Sequence, residues 1–148
     1  MKVAMAPATA DVVDVLGGSS VVGPILTRID LANSVRAGFP YEAFEAMVSA
    51  LSVTQAALAK TLMIQPRTLT RRKKSGRLDA EESDRLYRLA RVFAHAAAVF
   101  SGEEKAATWM LRANRALGDR PPLEYLDTDA GAQEVDDALG RIEYGIFA

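Results

Sequence analysis

The residues with most capacity for chemistry lie close together. Arg67, Arg71, Arg72, Lys73, Lys74 and Arg77 fall between positions 67 and 77, a stretch with no acid. Guanidinium groups bond guanine O6 and N7 together, and Lys or Arg charges neutralise phosphates, so this pattern suits nucleic-acid binding. If the segment is helical, Arg67, Arg71 and Lys74 share one face with Thr70 beside them, while Leu69 points back to a core. Arg67, Thr68 and Arg71 are then expected at base edges, and Arg72, Lys73, Lys74 and Arg77 at phosphates. Four phosphate contacts give a logarithmic salt slope of about −3.6 per monomer. The competing reading is a solvated helix face whose basic end suits the helix dipole.

No second set of residues converges on a reaction. The chain has no cysteine, which excludes a disulfide, a thiolate zinc site and a cysteine nucleophile. His95 is the only histidine and is flanked by alanines, so it is expected to pack rather than to bind metal or move protons. Glu81-Glu82 and Glu103-Glu104 fall at expected helix starts, where acids suit the dipole, and Asp136-Asp137 falls early in a solvated helix. Gly17-Gly18 and Gly23-Pro24 lack the spacing of a phosphate loop. No active site, cofactor or metal is expected.

The basic segment needs elements to hold it, and the pattern around it is helical throughout. Short helices are expected from Asp11 to Leu16 and from Asp30 to Arg36. A firmer one spans Tyr41 to Leu51, with Phe44, Met47, Val48 and Leu51 on one stripe. Ser52-x-x-Gln55 has the form of a capping box opening a helix to about Leu62. Three residues later Pro66 suits the first position of a new helix, which Gly76 ends. Helix, three-residue turn and basic helix together form a helix-turn-helix, with Leu58, Leu62, Ile64 and Leu69 packing its two arms around small Ala59. Two residues depart from the usual pattern: Met63 stands in the turn where Gly is common, and Arg72 takes a late position that is often apolar.

Beyond this motif, Asp79-x-x-Glu82 and Ser101-x-x-Glu104 read as capping boxes for helices to about Phe100 and Arg112. Leu86, Leu89, Phe93, Ala97 and Phe100 line the first of these. Trp109 is expected as a core anchor beneath a turn at Gly118. A short turn over Leu123 to Leu126 and a final helix from Asp129 to Tyr144, with Val135, Leu139 and Ile142 inward, complete an all-α chain. The division expected is 1–77, an N-terminal segment and helix-turn-helix, and 78–148, a helical C-terminal domain.

Size and composition agree with a folded protein. At 148 residues, 49% hydrophobic and 25% charged, the chain sits at the globular average. The net charge of −1 conceals an asymmetry: residues 67–77 carry +6, the remainder −7, and the part from Asp119 onward −6. The longest uncharged stretch, Ala46 to Ala59, is too short for a membrane span, and the first ten residues read poorly as a secretory signal. A reducing cytoplasm is the expected location.

The stretch TLMIQPRTLTRRKKSGRLDAEESDRLYRLARVFAHAAAVF resembles the helix-turn-helix part of the Xre/MbcA/ParS antitoxins of type II toxin–antitoxin modules. The stretch ATWMLRANRALGDRPPLEYLDTDAGAQEVDDALGRIEYGIFA resembles their toxin-binding part, through Trp109, Asn114, Leu117-Gly118, Pro122-Leu123, Leu126, Thr128, Gly131, Val135, Leu139, Ile142 and Gly145. The resemblance covers nearly the whole chain. It implies a dimeric, non-catalytic inhibitor of a RES-domain toxin that depletes NAD, and a repressor that binds its own operator DNA. On this resemblance Arg141, Glu143, Tyr144, Gly145 and Phe147 form a protruding tip that enters the toxin, unless the two aromatics pack on the last helix. The alternative is a solitary transcription regulator with no toxin partner.

Overall fold

The structure, a computed structural model, describes residues 9–145, and most of them are helical. The α-helices in chain order are α1 (Thr9–Val15), α2 (Ser19–Val22), α3 (Arg28–Ala37), α4 (Tyr41–Leu51), α5 (Gln55–Thr61), α6 (Pro66–Ser75), α7 (Ala80–Phe100), α8 (Glu103–Leu111) and α9 (Asp129–Glu143). Two 3-10 turns, Arg115–Leu117 and Pro122–Tyr125, lie between α8 and α9. There is no strand among the described residues, only the isolated bridges Pro40 to Arg77 and Asn114 to Arg120. The all-α expectation holds.

Helix α7 is the axis of the molecule. Its 21 residues begin at a true capping box, in which Asp79 accepts from the Glu82 N–H at 2.7 Å and Glu82 accepts from the Asp79 N–H at 2.9 Å. Leu86, Leu89, Ala90, Val92, Phe93 and Ala96 are fully buried, so more than one face is covered. Helices α1 and α3 pack on it from the N-terminal half of the chain, α8 and α9 from the C-terminal half. One continuous apolar core runs through both halves, from Val12 to Leu139.

Both serine capping boxes are corrected by the structure. Ser52 (φ 56°) and Ser101 (φ 59°) are left-handed residues that close α4 and α7. An N-cap must be extended, so neither can open the helix that follows. Thr54 caps α5 instead, accepting from the Ala57 N–H at 3.1 Å, and Gly102 precedes α8 without a side-chain bond. Released from the box, Gln55 accepts a hydrogen bond from the Tyr41 hydroxyl at 2.7 Å, tying α5 to α4.

The segments flanking the helix-turn-helix are clasped together. The Leu78 N–H donates to the Phe39 carbonyl and the Tyr41 N–H to the Gly76 carbonyl, both at 2.9 Å. The buried Phe39 N–H donates to Ser83 Oγ at 2.7 Å. Gly38 allows this approach: its φ is 91°, and a Cβ there would lie 2.1 Å from the Leu78 carbonyl oxygen. The clasp fixes where α6 ends relative to α7.

Candidate functional site

Helix α6 buries none of its residues, so something other than a core must hold it. Pro66 begins it, Gly76 (φ 81°) ends it, and Leu69 is half-buried towards α5, whose Leu58 and Ala59 are buried. Met63 takes the turn with φ 57°, the conformation for which glycine is usual, and leaves its side chain 54% exposed. Ile64 and Leu62 are buried beside it.

The remaining anchor is ionic. Arg72 Nε bonds Glu82 Oε1 at 2.8 Å, and its Nη2 reaches Asp79 Oδ2 at 3.1 Å. Glu82 is buried, so the pair is largely shielded from water. This explains the charged residue at a helix-turn-helix position that is commonly apolar: Arg72 joins the last turns of α6 to the capping box of α7. Arg77 is also engaged, its guanidinium donating to the Gly38 carbonyl. Arg72 and Arg77, both expected at phosphates, are thus each held by an intramolecular partner, Arg72 by Glu82 and Asp79 and the still exposed Arg77 by the Gly38 carbonyl. Arg72→Ala is expected to destabilise the fold by ~1.5–3 kcal/mol, the range for a hydrogen bond to a charged group, and urea unfolding checks it.

Arg67, Thr70, Arg71, Lys73 and Lys74 remain exposed on α6, with Thr68 half-exposed. Thr70 turns its hydroxyl back to the Pro66 carbonyl at 3.1 Å. Arg67, Arg71 and Lys74 follow one another at spacings of four and three, so they form one outward cationic stripe. The structure thus puts Arg67 and Arg71, two of the three residues expected at base edges, on one face with Lys74, while half-exposed Thr68 lies to the side of that stripe.

The C-terminal half is built around a compact loop. Asn114 caps the first 3-10 turn, accepting from the Ala116 N–H at 2.9 Å, and its own N–H donates to the Arg120 carbonyl at 3.1 Å. Tyr125, not Trp109, supports the Gly118 turn, donating its hydroxyl to the Leu117 carbonyl at 2.6 Å. Trp109 is half-buried and meets Phe100 with its ring tilted by 43° and the centroids 5.6 Å apart. Thr128 then caps α9 through the Gly131 N–H at 3.0 Å. Gly131 has no alternative here, since a Cβ would lie 2.0 Å from the Tyr125 carbonyl oxygen. The loop sets the start of α9, and Ala132, Val135, Ala138 and Leu139 bury its inner face.

At the far end of α9, Tyr144 is 60% exposed, Gly145 is exposed with φ 69°, and Arg141 is half-buried. Phe147, the fifth residue expected at the tip, lies outside the described residues. Glu143 corrects the expectation. Its carboxylate is turned inward, with only 5% of the side chain exposed, and Oε1 lies 3.5 Å from His95 Nε2. Asp136, expected on a solvated face, is also drawn in: its Oδ1 is 3.2 Å from His95 Nδ1, and its Oδ2 pairs with Arg91. Sequence reasoning missed this cluster, although a signal was present. Arg91 and His95 are four apart and Asp136 and Glu143 seven apart, so each pair lies on one side of its helix.

A helix-turn-helix head with a free cationic helix, and a second helical module built on the same central helix, define the class of protein. Residues 30–91 match the model of the antitoxin Xre-like helix-turn-helix domain, and residues 95–145 match that of the antitoxin Xre/MbcA/ParS C-terminal toxin-binding domain. The chain is 38% identical over 120 residues to an antitoxin Xre of Yersinia enterocolitica, covering 80% of this chain and 81% of that protein. It is 45% identical over 87 residues to an antitoxin Xre of Photorhabdus laumondii, covering 57% and 59% of the two chains. A third antitoxin Xre, from Pseudomonas putida, is 35% identical over 68 residues, 46% of this chain and 43% of that one. The chain belongs to the Xre antitoxin family. Among the described residues no helix is long and apolar enough to cross a membrane.

Proposed function

We propose that this protein is a non-catalytic antitoxin that blocks a RES-domain, NAD-degrading toxin through its C-terminal module and represses its own operon through α6. The observation that carries the toxin reading is the match of residues 95–145 to a toxin-binding domain, on a module whose helix α9 ends in exposed Tyr144 and Gly145. Arg141, Tyr144, Gly145 and Phe147 are the contacts assigned to the toxin, while Glu143 supports them from inside. The test is NAD consumption by a RES-domain toxin, preferably one encoded beside this gene, with and without the antitoxin. Stoichiometric inhibition supports the reading. No inhibition between two folded proteins refutes it and returns the chain to the solitary-regulator alternative.

Operator binding rests on the exposed stripe of α6. In this proposal Arg67, Thr68 and Arg71 meet base edges, with Thr70 alongside, and Lys73 and Lys74 are the phosphate contacts left after Arg72 and Arg77 are engaged. The salt slope then falls from about −3.6 to about −1.8 per monomer by the rule of ~0.9 per phosphate. Fluorescence anisotropy with operator DNA at several salt concentrations measures it, and a slope near −3.6 shows that the clasp opens on DNA. We place a homodimer contact on the groove between α3 and α7, lined by Val35 and exposed Met63 together with charged residues of both signs, among them Arg28, Arg36, Glu81 and Asp84. Sedimentation of the free protein checks the dimer.

A further inference from the structure

The cluster between α7 and α9 is the feature that neither the family assignment nor the tip accounts for. It sets the Arg91 guanidinium and the His95 ring against two carboxylates, Asp136 and Glu143. Three of the four are on the inside, with 10% of the His95 side chain exposed, 14% of Asp136 and 5% of Glu143, while Arg91 closes the rim at 32%. His95 is the bridge, because its two ring nitrogens address different carboxylates seven residues apart on α9. Nδ1 meets Asp136 in the middle of α9, and Nε2 meets Glu143 at its last residue. Only a protonated ring donates from both nitrogens at once.

We propose that His95 is a positioning residue for the toxin-binding end of α9, a cationic staple that docks Glu143 onto α7 and so fixes the direction in which Tyr144 and Gly145 leave the helix. A neutral ring donates from one nitrogen only. The bond to Asp136 is the shorter, so it is kept and Glu143 is left as a buried carboxylate facing a lone pair. Two buried atoms, His95 Nε2 and Glu143 Oε2, have no hydrogen-bond partner, the Nε2 approach to Glu143 at 3.5 Å being an ion-pair contact only, which makes this the weak side of the cluster. Loss of the proton therefore loosens the last turn of α9 before it loosens the middle.

The charges around the ring agree with a protonated state. The hydrogen bond to Asp136 raises the His95 pKa above its ordinary value; burial opposes this, and the charge of Asp136 and the bond and charge of Glu143 add to it. For Asp136, burial disfavours the charged form, but the bonds and charges of His95 and Arg91 outweigh it and hold its carboxyl below the ordinary range. Arg91 is the only other cation in the cluster. Asp11, Asp14 and Glu103, from α1 and α8, line a different groove with Ala94, Ala97 and Ala98. The sign follows from linkage. A raised folded pKa means that the stabilisation is complete below the unfolded value, about 6.5, and is lost as pH rises through the folded value.

His95 is the only histidine, so its ring protons report on it without ambiguity. An NMR titration of the full chain is expected to place its midpoint above about 6.5, and amide exchange at Ile142 to Tyr144 to accelerate across that midpoint beyond the intrinsic rate. His95→Gln removes the proton-dependent part of this behaviour. Should that variant fold poorly, Glu143→Gln, at the helix end, lowers the midpoint while Asp136 still holds the ring. The link to the toxin rests on the functional reading above. The affinity ratio of wild type to His95→Gln for a RES-domain toxin is expected near tenfold at pH 6 and to converge towards one by pH 9. A midpoint at or below the ordinary value, or exchange at the end of α9 that ignores it, overturns the staple. A pH-independent affinity ratio overturns the link to toxin binding. If wild type binds no toxin at any pH, the functional reading fails, and the titration and exchange still decide the staple.

Discussion

Removal of Tyr144 to Ala148 is expected to leave a folded protein and, on the proposed function, to weaken its inhibition of a RES-domain toxin about 100-fold or more, the scale of losing an aromatic hot spot. The fold survives because the inner face of α9 is upstream of the cut. Ala132, Val135, Ala138 and Leu139 stay buried, and Asp136 and Glu143 keep their partners on α7. Only an exposed ring and an exposed glycine are lost from the described part. The new carboxylate at the helix C-terminus disfavours the dipole by a small amount, ~0.3–1 kcal/mol. Circular dichroism and urea unfolding check the fold, and NAD consumption checks the function. Full inhibition by the truncated chain would move the contact from the tip to a broader face of α9.

The second large effect belongs to the other end of the molecule. Arg67→Ala combined with Arg71→Ala is expected to weaken operator binding by two decades or more, since each base-edge contact carries ~1–3 kcal/mol. Both side chains are exposed and neither makes an ion pair among the described residues, so thermal stability should hardly change. Arg72→Ala should do the reverse, costing stability through Glu82 and Asp79 with less effect on DNA. Anisotropy titrations beside melting curves separate the two. Equal losses of DNA affinity for all three arginines would show that charge alone matters, and that α6 is not oriented as proposed.

Local signals in the sequence placed most helices correctly. Tyr41–Leu51 was legible from its stripe, α6 from Pro66 and Gly76, and α7 from Asp79 and Glu82. The two serine boxes failed because a capping pattern of residue types says nothing of φ. A serine can close a helix in the left-handed region, and the chain then needs another residue to open the next. The outer stripe of α6 was legible for the same reason as the helix itself. What each arginine touches was not, because Arg72 with Glu82 and Arg77 with Gly38 are contacts made only after α6 folds back on α7. The sequence around His95 points only to packing, because its carboxylates lie forty or more residues away on another helix.

Because α7 packs against α1 and α3 from one half of the chain and against α8 and α9 from the other, and its capping box holds α6 through Arg72, the chain does not divide cleanly at Arg77. A chimaera cut after Arg77 would strip the head of Ser83, Leu86 and Leu89, and of the capping box that Arg72 grips. Grafting a different neutralising module onto this head therefore requires a join beyond Phe100, and an incoming α9 that carries its own carboxylates for Arg91 and His95. Changes of toxin partner within such proteins must then be written in residues after α7, while α7 itself answers to both halves at once.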